Sequence, residues 1–109
     1  MKEVKVLFDL ESGIVEQQAF LIDENNVIYL DDFDNSIYLQ GVEPTEKEGV
    51  YKEDESGFII LGSYDKSIED QENEVKRIVN VMKDISLYDF IINHLDRSIA
   101  CDELNINQL

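Results

Sequence analysis

The chain has 109 residues, of which 25 are Asp or Glu and nine are Lys or Arg, giving a formal charge of −16. A hydrophobic fraction of 43% is enough for a real core, so high charge here does not mean disorder. An anionic surface of this strength repels phosphate backbones and acidic bilayers, which excludes direct nucleic-acid binding and peripheral membrane attachment as expected functions.

Lys2 to Leu10 alternates Val4, Val6, Phe8 and Leu10 with Glu3, Lys5 and Asp9. That period of two predicts a strand with one wet face. Glu11-Ser12-Gly13 is turn material, and Ile14 to Ile22 is a second strand. Asp23 to Asn26 makes the next turn, because asparagine tolerates the left-handed backbone region. Asn26-Val27-Ile28-Tyr29-Leu30-Asp31 is echoed by Asn35-Ser36-Ile37-Tyr38-Leu39-Gln40. Two β-favouring runs around Asp32–Asn35 predict a hairpin. Gly41 to Ser56 is crowded with carboxylates and holds the single proline, Pro44. A loop or irregular edge strand is expected there, with Val50 and Tyr51 briefly paired. Phe58 to Leu61 is a short strand, expected to be buried on both faces.

From Ser67 the period changes. Ile68, Val75, Ile78, Met82 and Ile85 form one helical stripe, and Ser67 with Asp70 resembles a capping box. Ser86 with Asp89 repeats the device, and Leu87, Phe90, Ile91, Leu95 and Ile99 form a second stripe. The expected fold is α+β: an antiparallel sheet of four to six strands over residues 2–62, packed on one face by two C-terminal helices over 67–85 and 87–100. All 109 residues are expected in one domain, comprising a sheet half (1–62), a helical half (63–101) and a polar tail (102–109).

Sites of chemistry are sparse. From Asp32, an EF-hand loop would place Asp32, Asp34, Ser36 and Glu43 at ligand positions, but Ile37 occupies the position that needs glycine. A looser divalent site from Asp31, Asp32 and Asp34 is less expected than a solvated hairpin tip whose side chains cap the turn. The single histidine, His94, and single cysteine, Cys101, lack the spacing of a structural zinc site, and one cysteine cannot form an internal disulfide. The five glycines are scattered one per turn, with no phosphate-binding loop. No catalytic residue, metal ligand or cofactor is assigned. The start of the chain lacks a signal-peptide pattern, and no apolar run approaches the length of a membrane span, so a cytoplasmic location is expected.

Charge is distributed unevenly. Residues 1–62 carry 15 acids against four lysines, whereas residues 63–109 carry ten acids against five bases. The excess acidity therefore belongs to the sheet half. Carboxylates on strands repeat at roughly 6.6 Å along one face, a spacing that suits pockets built for a phosphate backbone. The expected partner-binding residues are Asp31, Asp32, Asp34, Glu43, Glu46, Glu48, Glu53, Asp54 and Glu55, with Tyr38 and Tyr51 as aromatic contacts. The expected function is a non-enzymatic inhibitor of a basic nucleic-acid-binding protein or nuclease, of the type that phages and mobile elements encode, anti-CRISPR proteins among them. The alternative is a housekeeping or structural interaction module, in which acidity serves solubility and a homodimer forms through a sheet edge or the second helix.

Overall fold

Consecutive strands pair antiparallel through the first two thirds of the chain in a computed structural model that describes residues 1–93. They are β1 (Lys2–Leu10), β2 (Gly13–Asp23), β3 (Asn26–Asp31), β4 (Ser36–Pro44) and β5 (Val50–Ser63). Helix α1 (Gln71–Asp84) and the six-residue segment α2 (Tyr88–Asn93) follow. In a meander of five strands the first and last run the same way, so closure requires a parallel pair. Lys5–Leu7 of β1 lies parallel to Val50–Lys52 of β5, and the sheet closes into a barrel. Beyond Leu7 and Lys52 these two strands share no further register, which leaves a seam at the end where β1 turns into β2.

Two cores share strand β3. Val4, Val6, Ala19, Val27, Tyr29 and Val42 fill the barrel, with Phe8, Leu21, Tyr38 and Tyr51 packed against them. On the outer surface, Phe20, Ile28, Leu30, Ile37, Leu39, Ile59 and Leu61 meet Val75, Ile78, Val79 and Met82 of α1 and Ile91 of α2. The alternation of strand side chains sends Val27 and Tyr29 inward and Ile28 and Leu30 under the helix. All five residues from Asn26 to Leu30 are consequently buried.

This architecture corrects the α+β expectation. The chain is mostly strand, the sheet is closed, and α1 is the only helix longer than two turns among the described residues. The stretch expected as a loop holds the end of β4, a turn, and the first half of β5, a 14-residue strand. Its charges obscured it: Lys52, Glu53 and Glu55 are all exposed. Helix α1 begins at Gln71, four residues later than expected. Asp70 is its N-cap, with Oδ1 accepting from the Asn73 N–H at 3.1 Å, while the Ser67 hydroxyl donates to Asp65 Oδ1 at 2.8 Å. Of the second helix expected over 87–100, the described residues hold only the six-residue segment Tyr88–Asn93; residues 94–100, with His94, and Cys101 and the tail 102–109 lie outside the described residues. No described helix is long and apolar enough to cross a membrane.

Strand β5 is bent. Val42 pairs with Glu53 and Gln40 with Phe58, so the four residues 54–57 stand opposite Gly41 alone. An extra stretch of this kind re-aims the strand. Gln40, 1% exposed, spans the irregularity by donating from Nε2 to the carbonyls of Gly41 and Gly57, both at 3.1 Å. On the other side, Asp54 Oδ1 accepts from the Ser56 N–H (2.8 Å) and hydroxyl, closing over Gly41.

Candidate functional site

The β3–β4 turn, Asp32 to Asn35, is the hairpin tip that the repeated strand pattern predicts. Asn35 takes the left-handed conformation, with φ of 62°, and its N–H donates to the Asp31 carbonyl at 2.9 Å. Every tip carboxylate is occupied within the protein. Asp31 Oδ1 accepts from the Phe33 N–H at 2.8 Å and Asp34 Oδ1 from the Ser36 N–H at 3.1 Å. The Tyr38 hydroxyl donates to Asp34 Oδ2, and the Tyr64 hydroxyl to Asp32 Oδ1. These are the bonds that stiffen an Asx-type turn. Among the described residues no three His, Cys, Asp or Glu side chains form a group able to hold a metal ion. At the apex Phe33 is 97% exposed. The sequence signal for it was a bulky apolar residue where a turn residue belongs.

The remaining acids lie elsewhere. Ser36 and Pro44 are the two ends of β4, separated by eight residue steps, or about 26 Å at strand rise. Glu46 and Glu48 sit with Lys47 in the turn beyond Pro44, which Thr45 holds by donating from Oγ1 to the Val50 carbonyl at 2.8 Å. Glu43, Glu53, Asp54 and Glu55, with Ser56, line one shallow depression beside the β5 bend. Within it Glu43 pairs with Lys52 at 3.2 Å, with both side chains half exposed. Such a pair contributes little stability. Burial raises the Glu53 carboxyl above its usual range. Hence the eleven expected contact residues do not form one patch. Asp31, Asp32, Asp34 and Tyr38 occupy one end of β4, Glu46 and Glu48 the other, and the bend carries four more.

Tyr38 and Tyr51 face the barrel core, where they are half-buried. Tyr38 belongs to a row of rings that sequence periodicity did not single out. Tyr29 and Tyr38, directly paired across β3 and β4, stack at 5.1 Å with planes 13° apart. Phe8 meets Tyr29 edge-on at 5.8 Å, and Phe58 meets Tyr38 edge-on at 5.5 Å. The row thus links β1 to β5 by way of β3 and β4. Tyr29 is buried; Phe8, Tyr38 and Phe58 remain partly open to solvent.

These tyrosines hold their protons tightly. Burial, then the bond to Asp32, pushes the Tyr64 hydroxyl up to about 12. Burial foremost also raises Tyr29, with the neighbouring Tyr38 and Asp31 adding to it, and raises Tyr38, with the Asp34 bond adding to it. A group whose folded pKa is raised binds its proton better in the native chain, so its stabilisation is complete below the unfolded value and lost as pH rises through the folded one. For Tyr64 that window runs from the ordinary 10.0 to about 12. Unfolding on titration with base is therefore expected above pH 10, with tyrosinate absorbance and loss of the native circular dichroism rising together. Tyrosinate formation complete near pH 10 in a chain that remains folded would contradict this.

Comparison with protein-family models, curated proteins and solved structures gives no match for this chain.

Proposed function

We propose that the protein is a non-enzymatic binding protein that occupies the basic surface of a nucleic-acid-handling partner and excludes nucleic acid from it. The observation that carries the reading is the acidic depression at the β5 bend, where Glu43, Glu53, Asp54 and Glu55 converge with Lys52 as the neighbouring cation. Glu53 and Glu55, together with Glu46 and Glu48 on the adjoining turn, make no side-chain hydrogen bond or ion pair with other described residues. Their charge is available to a partner. A closed barrel with a stiff turn loses little entropy on docking, so fixed carboxylates can substitute for a phosphate row.

The second reading is an interaction module whose contact is apolar. Phe33 at 97% exposure and Ile14 at 69% favour it, since Phe33 on the β3–β4 turn and Ile14 at the start of β2 lie at one end of the barrel. One experiment separates the two: capture on the immobilised protein from extract of its native cells at low and high salt, with duplex DNA as competitor. The first reading expects basic proteins that are released by salt and by DNA, and a reversal of Glu46, Glu48, Glu53 and Glu55 to lysine that abolishes capture. Capture that survives salt and this reversal but is lost in Phe33→Ser would establish the second instead. A partner that binds DNA and this protein together, without loss of affinity, would also overturn the first.

A further inference from the structure

The seam between β1 and β5 is where the barrel is least complete: the parallel pairing stops at Leu7 and Lys52, and the aromatic row starts one residue further on at Phe8 of β1 and ends at Phe58 of β5. A plug needs buried rings, and Tyr29 meets that need at 7% exposure. Phe8, Tyr38 and Phe58 are only partly covered. Their faces also carry no cation of the protein's own: among the described residues the ring with a lysine over it is Tyr88, 5.2 Å from Lys83 Nζ. Nearby bases are already engaged, Lys5 with Glu16 at 3.5 Å and Lys52 with Glu43 at 3.2 Å.

Carboxylates reach the same place. Glu53 pairs across strands with Val42, which points into the barrel, so Glu53 projects on the side of the rings. Asp34 is bonded to the hydroxyl of Tyr38, within the row. Behind burial and the neighbouring Tyr38, the negative charges of Asp31, Glu53 and Asp34 add to the upward shift of the Tyr29 hydroxyl.

A π-face beside an anion attracts a cation, and a planar guanidinium satisfies both at once by stacking on the ring while its edge hydrogen-bonds the carboxylate. We propose that the seam receives an arginine side chain of the partner, stacked on Tyr38 and Phe58 and paired with Glu53. The inference rests on the basic-partner reading and adds the residue that partner inserts. Lysine, a compact and strongly hydrated charge, fits the site less well.

A capped Gly-Arg-Gly peptide, with its lysine and citrulline counterparts, titrated into the full chain at low salt tests this through the ring signals in the NMR spectrum. The arginine peptide is expected to shift Phe8, Tyr38 and Phe58 saturably, with citrulline weaker by about tenfold and lysine between them. Glu53→Gln should weaken the arginine peptide by about threefold or more and keep the fold, because burial already disfavours that charge. Tyr38→Leu should weaken it further. Equal binding of arginine and lysine peptides that moves only the amides of Glu46, Glu48 and Glu55 would overturn the seam as a receptor and leave the basic-partner reading standing. Failure of every peptide while a basic partner is still captured would do the same, whereas failure of both capture and peptides would remove both.

Discussion

Gly41→Ala is expected to destabilise the protein by about 2 kcal/mol and lower its melting temperature by roughly 10 °C. The reason is contact, not backbone conformation. A Cβ on Gly41 would lie 1.7 Å from Ser56 Oγ and 2.4 Å from Asp54 Oδ1, distances no real methyl can hold. Ser56 can rotate away only by giving up its bond to Asp54, and that bond is what shapes the four-residue bend. The change therefore couples stability to function, because Asp54 and its neighbours line the acidic depression. Ser56→Gly in the same chain removes the nearer obstacle and should restore about half of the loss, an interaction energy of about 1 kcal/mol in a double-mutant cycle. Thermal unfolding of the four proteins measures it. A Gly41→Ala chain as stable as the parent, with additive behaviour in the pair, would mean that the bend does not close over Gly41.

Legibility in the sequence followed from how many environments a strand has. β1, one face wet, alternates visibly from Val4 to Leu10, and the paired runs around Asp32–Asn35 announced the β3–β4 hairpin. β5 failed because its first half carries three exposed charges, Lys52, Glu53 and Glu55, and Tyr51 is its one apolar member before the bend that packs on the barrel core. Closure itself rests on three parallel residue pairs, which no periodicity records. Ser67 and Asp70 show the limit of local signals: either could cap the helix, and the Asp65 carboxylate decided by taking the Ser67 hydroxyl. At the candidate site the acids were readable as residues but not as three groups. Strand rise along β4 separates them, and the tip carboxylates are spent on their own turn, at Asp31 and Asp34, and on the Tyr64 hydroxyl, at Asp32. The ring row was invisible because its members come from β1, β3, β4 and β5 and meet only inside the barrel.

Ile28→Ala should have the largest effect of any conservative truncation, about 3–4 kcal/mol, enough to lower the denaturant midpoint by a large fraction of a small domain's total stability. Ile28 is fully buried and stands between the barrel wall and α1, in the cluster that also holds Ile78 and Met82. A cavity there cannot collapse easily, since the strand on one side is tied into the ladder on both edges. Ile78→Ala opens the same space from the helix, so the double variant should lose less than the sum of the single losses. Ile28→Ala combined with Val6→Ala should be additive, because Val6 lies in the barrel core. Ile14→Ala, at a site 69% exposed, should change stability by less than about 0.5 kcal/mol. The same separation reaches the proposed receptor: Phe8 and Tyr38 pack on the barrel core, not under the helix. At temperatures where the chain stays folded, Ile28→Ala should therefore leave arginine-peptide affinity unchanged while Val6→Ala weakens it. Equal losses of affinity in both variants would mean that helix and seam act as one unit and that the two cores are coupled through β3.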